Sequence, residues 1–146
     1  VRLVLQRVTS AAVRVAGEPV AAIGRGLLVL VAVEKGDGPP QAEAAADKLA
    51  GLRCFEDAAG KMNLDAAAAG AEILVVSQFT LAASLDRGRR PSFDRAAPPA
   101  EAEPLVALLV DALRARGLPI RTGRFGARMA VELINDGPVT FVLEIR

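Results

Sequence analysis

Apolar and polar positions alternate along much of this chain, and in two places the alternation gives way to unbroken aliphatic runs. Residues 2 to 8 and 12 to 16 alternate with period two and read as strands, with Gly17-Glu18 turning into a third near 19 to 23. Residues 27 to 33 are continuously aliphatic, as expected of a strand buried on both faces. The Gly36-Asp37-Gly38-Pro39-Pro40 segment then opens a helix over about 40 to 52, with Leu49 and Leu52 on one stripe, and a short strand follows at 53 to 56. The second aliphatic run predicts a buried strand over 72 to 79, after which a Gly- and Arg-rich loop occupies 86 to 93. Pro98-Pro99 starts a helix that carries Glu101 and Glu103 early and Arg114 and Arg116 late, matching the helix dipole, and Gly117 stops it. Finally Met129, Val131 and Leu133, then Val139, Phe141, Leu143 and Ile145, alternate with polar neighbours. Asn135-Asp136-Gly137-Pro138 between them predicts a half-buried antiparallel hairpin.

The order of elements is that of a mixed α/β chain without linkers or repeats, so residues 1–146 are expected to form a single domain. With 52% apolar and 24% charged residues the chain can build a core. No run reaches the roughly 18 to 20 apolar residues that cross a bilayer, and the first residues lack a signal-peptide pattern. The expectation is a cytoplasmic protein with no membrane partner. Cys54 is the only cysteine and histidine is absent, which excludes an internal disulfide, a multi-cysteine zinc site and any mechanism built on a histidine base. No metal and no cofactor is expected. Cys54 itself reads as a small buried residue. Net charge is only +1, yet residues 87 to 128 carry nine arginines against four acids, leaving the rest of the chain net negative. That bias suits phosphate, and equally suits a solvated helix end.

Two segments carry candidate chemistry. Ser77-Gln78-Phe79-Thr80-Leu81 ends a buried strand with two hydroxyls and a carboxamide, and hydroxyl, amide and backbone N–H groups are what polarise an ester carbonyl. Asn135 to Thr140 can hold backbone groups toward a ligand. Each has a plainer reading: strand-end hydroxyls that satisfy backbone groups, and a simple hairpin turn. Ser77 or Thr80 as a nucleophile lacks a histidine, lysine or carboxylate nearby in sequence to accept its proton.

Several stretches together resemble the D-aminoacyl-tRNA deacylases: Leu5-Gln6-Arg7-Val8, Gly26-Leu27-Leu28-Val29-Leu30, Val33-Glu34-Lys35, Gly60-Lys61-Met62-Asn63-Leu64, Ser77 to Leu81, Arg90-Pro91-Ser92-Phe93, Thr122 to Ala127 and Asn135 to Thr140. The likeness runs essentially end to end. Two departures, Val1 in place of an initiator Met and Ala82-Ala83-Ser84 in place of a more polar or aromatic stretch, touch neither signature segment.

The resemblance implies a three-layer domain of two packed, mainly antiparallel sheets with helices on one face. It implies hydrolysis of the ester in D-aminoacyl-tRNA, and in mischarged glycyl-tRNA, with L-aminoacyl-tRNA rejected. Ser77, Gln78, Phe79 and Thr80 would be catalytic, with the Phe79 and Thr80 N–H groups as oxyanion donors and the substrate's own 2′-hydroxyl assisting water. Gly137 and Pro138, joined by a cis peptide, would enter the pocket of a second subunit in a homodimer. Phe125, with Met129 beside it, would line the pocket for the terminal adenosine. A pocket that reads main-chain atoms accepts many D side chains and glycine while blocking the opposite stereochemistry. Two rivals are a tRNA-binding module without catalysis and a small-ester hydrolase with a Thr80 nucleophile.

Overall fold

The structure is a computed structural model that describes residues 1–146. Its frame is one long strand, β1 (Arg2–Val15), where the sequence suggests two. The alternation falters at Arg7 to Ser10, but the backbone stays extended through two register irregularities between Gln6 and Ser10. One edge of β1 is shared: residues 2 to 8 pair with β3 (Gly26–Ala32) and residues 11 to 15 with β2 (Glu18–Ile23), both antiparallel. The other edge is covered along its length by β8 (Met129–Glu144). On the far side β3 pairs in parallel with β6 (Glu72–Ser77), and β6 with β7 (Ile120–Thr122). The sheet is therefore mixed, with three antiparallel and two parallel pairings, and its strands form one six-stranded hydrogen-bonded unit. The expected pair of sheets is joined into one because β1 runs through both halves.

The two aliphatic runs become β3 and β6, whose alternate residues serve two cores. Leu27, Val29, Val31, Ile73 and Val75 face α1 (Pro39–Gly51) and α3 (Pro99–Ala115), which lie on the same face. Leu28, Leu74 and Val76 face the other way, onto Val8, Ala11, Val13 and Ile23 from β1 and β2, so the sheet curls over its own second face. Gly26 is required at the β3–β6 seam, because a Cβ there would sit 1.8 Å from the Glu72 carbonyl oxygen. In α1, Ala42, Ala45, Ala46 and Leu49 form the buried stripe, and Gln41 at the third position reaches back to accept the Gly38 N–H at 2.8 Å. A short ribbon of β4 (Phe55–Glu56) and β5 (Met62–Leu64) and one turn of helix, α2 (Ala66–Ala69), complete the chain. Together with β7, the β5 strand and α2 are too short to show a period in the sequence. Cys54 is buried, and its burial pushes the thiol pKa up. No helix is long and apolar enough to cross a membrane.

The expected C-terminal hairpin is not formed. Residues 129 to 135 and 140 to 144 are one strand, and both halves pair with β1 rather than with each other. Asn135 lies opposite Val8 and Thr140 opposite Gln6, so Asp136 to Val139 is looped out of the ladder as a bulge. A period of two identifies a strand but not its partner, and β1 is long enough to hold both runs.

Candidate active site

The strand β6 ends at Ser77, two residues earlier than the aliphatic run predicts, and the chain folds into a 3-10 turn, Phe79–Ala82. Gln78 is the pivot. Its N–H still donates to the Val31 carbonyl at 2.7 Å, while its ψ of 74 turns the chain out of the sheet. The Leu81 and Ala83 N–H groups donate to the Gln78 and Thr80 carbonyls at 3.1 Å each, but the Phe79 and Thr80 N–H groups find no acceptor in the chain. Two adjacent amide donors are thereby left open at the start of the turn. The Gln78 Nε2 donates to Thr80 Oγ1, fixing both side chains.

Ser77, Gln78 and Phe79 form one wall of a cavity of about 630 Å³. Phe125 and Met129 line it as well, so five of the residues singled out in the sequence meet in one place. The Phe79 ring meets Phe93, which also lines the cavity, edge to face with centroids 5.1 Å apart. Phe125 combines its two readings: it packs on Val33, Ala97 and Ala102 and also faces the cavity. Met129 braces the loop before it, accepting the Arg124 N–H at 3.4 Å through its sulfur, and a Cβ on Gly123 would meet that sulfur at 2.7 Å. Thr80 lies outside the lining. None of the 18 lining residues is ionisable, and 14 are hydrophobic. The cavity offers binding and hydrogen bonding, but no side-chain base.

Gly137 and Pro138 are not in this cavity. They are exposed on the β8 bulge, their peptide bond is cis, and Gly137 has φ of +128. The bulge is held from beneath by Arg7, which the sequence marks only as part of the Leu5-Gln6-Arg7-Val8 stretch. Arg7 is 4% exposed and is the only charged residue in the interior. Its Nη1 donates to the Cys54 carbonyl at 2.9 Å and its Nε to the Asp136 carbonyl at 3.3 Å; the guanidinium is also 3.4 Å from the Asp136 carboxylate and 3.7 Å from Glu56. Asn135 Nδ2 donates to the Arg7 and Val139 carbonyls at 3.0 Å each, pinning both ends of the bulge to β1. The signal available in sequence was an arginine at an inward position of an apolar strand, since a buried guanidinium needs dedicated acceptors.

The fold and the cavity define a mixed α/β protein with an uncharged, largely apolar pocket beside a turn that leaves two backbone amides open. Comparison with known proteins specifies it further. The family of D-Tyr-tRNA(Tyr) deacylases matches residues 4–144. The D-aminoacyl-tRNA deacylase of Geobacter sulfurreducens is 55% identical over 145 residues, covering 99% of this chain and 95% of the relative. That of Geobacter metallireducens is 57% identical over 143 residues, covering 98% and 95%. A solved structure described as the c-Myc DNA Unwinding Element Binding Protein superposes with a TM-score of 0.94 at 41% identity, covering 100% of this chain and 99% of the other. This chain belongs to the D-Tyr-tRNA(Tyr) deacylase family, whose reaction is hydrolysis of the ester that joins a D-amino acid to tRNA.

Proposed function

We propose that this chain hydrolyses D-aminoacyl-tRNA, and glycyl-tRNA with it, by positioning the ester rather than by supplying a nucleophile or base. The observation that carries this reading is a cavity without ionisable side chains, bordered by the open N–H groups of Phe79 and Thr80. In the tetrahedral intermediate the carbonyl oxygen becomes an oxyanion that accepts from these two amides; one well-placed donor contributes about 3–4 kcal/mol. The neighbouring 2′-hydroxyl of the terminal ribose relays the proton, accepting one from the attacking water and passing its own to the departing 3′-oxygen as the ester C–O bond breaks, so no protein base is required. Gln78 orients the ribose or the ester through its amide, and Ser77 closes the end of the strand. Phe125 and Met129 receive the adenosine, whose base has a π-face for stacking.

Chirality is assigned to Gly137 and Pro138. Because they stand apart from the cavity of their own chain, they serve a second copy, reaching into its pocket in a homodimer and blocking the L configuration. The curled half of the sheet acts as the second packed layer, residues 1–146 work as one domain, and the cytoplasm, where tRNA is charged, is the place of action. A binding module without turnover is the second reading, favoured by the solved relative described as binding a DNA element.

The deciding assay is release of labelled amino acid from D-Tyr-tRNA, L-Tyr-tRNA and D-Tyr-tRNA ending in 2′-deoxyadenosine. Release from the first alone is expected. Equal release from the 2′-deoxy substrate would exclude substrate assistance, and binding without release would establish the module instead.

A further inference from the structure

The cavity is lined without charge, so attraction for a polyanion must come from outside the lining, and two loops anchored next to lining residues carry arginines that the protein itself does not use. Arg87, Arg89 and Arg90 stand on the loop between Ser84 and Ser92, and Arg124 and Arg128 bracket the turn Phe125 to Ala127. All five are exposed, and none takes part in an ion pair. By contrast Arg114 and Arg116, from the same arginine-rich stretch, are paired with Asp111 and with Glu43 and Asp47. Asp86, the acid within the first loop, accepts from the Ser84 hydroxyl at 3.0 Å.

Both groups are anchored to the cavity wall. Ser84 and Ser92 exchange N–H to carbonyl bonds of 2.8 and 3.0 Å, closing the base of the first loop, and the next residue, Phe93, lines the cavity and meets Phe79. In the second loop the Ala127 N–H donates to the Arg124 carbonyl at 3.2 Å, so the arginines flank a tight turn whose other residues line the same cavity.

We propose that these five arginines form a phosphate-binding rim that takes the sugar-phosphate backbone of the tRNA acceptor end as it leaves the pocket. The inference rests on the deacylase reading for the identity of the polyanion. A tRNA esterified inside an uncharged cavity must lead its chain out past the rim, and an unpaired guanidinium offers phosphate oxygens a bidentate fork. These contacts carry no sequence information; they set affinity and register, while the cavity reads the aminoacyl group.

The test compares two substrates across two variants of the full chain, Arg87→Gln/Arg89→Gln/Arg90→Gln and Arg124→Gln/Arg128→Gln. The first substrate is D-Tyr-tRNA, assayed across about 50 to 200 mM KCl. The second is the D-tyrosyl ester of adenosine, which has no phosphate. On tRNA each variant is expected to lower kcat/KM about tenfold or more, chiefly through KM. The slope of log(kcat/KM) against log[salt] should become shallower by roughly 0.7 to 0.9 per contact removed. On the adenosine ester both variants should match the wild type. A wild-type KM and salt slope on tRNA would overturn the proposal, as would an equal loss on both substrates, which would mean a distorted cavity. If the wild type releases nothing from either ester, the deacylase reading itself fails. Salt-dependent binding of uncharged tRNA by the same variants then decides the rim separately, with an unchanged slope rejecting it.

Discussion

Gly137 shows how narrowly a single position can be constrained. Its φ of +128 is one that L side chains rarely adopt, and a Cβ there would meet Val139 Cγ2 at 2.8 Å and Arg7 Nη2 at 3.2 Å. Gly137→Ala should therefore displace the bulge while leaving the core intact. The ratio of D-Tyr-tRNA to L-Tyr-tRNA hydrolysis is expected to fall at least about tenfold, measured by parallel release assays, with an unchanged circular dichroism spectrum as the control. Arg7 acts on the same bulge from below. Arg7→Met removes the donors to the Cys54 and Asp136 carbonyls and should cost about 2–3 kcal/mol in urea denaturation. At the open amides the side chains contribute unequally. Thr80 is outside the cavity, so Thr80→Ala should keep turnover within about threefold. On the proposed mechanism, Gln78→Ala removes the carboxamide that orients the ester from the cavity wall and should lower kcat about tenfold or more. A covalent acyl adduct on Thr80 in a trapped reaction would contradict the Thr80 expectation.

Elements depend on contacts that propensity does not report. The β3–β6 seam brings backbones so close that Gly26→Ala forces the Glu72 carbonyl aside. The expected loss is about 3 kcal/mol, at the upper end for overpacking, and should appear as a lowered Tm. The β4–β5 ribbon is held by its turn. The Asp57 carboxylate accepts the Lys61 and Ala59 N–H groups at 3.0 and 2.9 Å and the Asn63 amide at 3.1 Å, chiefly the Lys61 bond holding its pKa below the usual value. Because the folded pKa is depressed, the contribution is fully present above the ordinary carboxylate pKa and is lost as pH falls through the lower, folded value. Hydrogen exchange at Ala59 and Lys61 should thus be faster in Asp57→Asn than in wild type near neutrality, with the difference vanishing in acid. Since Glu56 in this ribbon stands beside Arg7, the turn also supports the bulge indirectly.

At the scale of the molecule, β8 is an edge strand that pairs only with β1 and leaves Ile134 and Val142 61% and 75% exposed. An apolar edge of this kind is normally covered. On the proposed homodimer, Val142→Glu should shift the protein toward monomer in light scattering and reduce turnover together, because a lone chain separates Gly137 and Pro138 from the cavity. Much of this molecule was legible in the residues. The aliphatic runs marked the central strands β3 and β6, the Pro starts and Gly117 marked the helix ends, and the Ser77 to Leu81 segment marked a wall of the cavity. The lack of histidine excluded a histidine base before any fold was known. Those features are local, set by side-chain periodicity and backbone stereochemistry within a few residues. Tertiary structure decided the rest. It chose β1 as the partner of both halves of β8, turned an apparent hairpin into a bulge, and placed Arg7 beneath it. It also left the Phe79 and Thr80 amides without partners where the chain turns away from a cavity free of charge. Strand pairing and desolvation depend on residues far apart in the chain, so no window of sequence contains them.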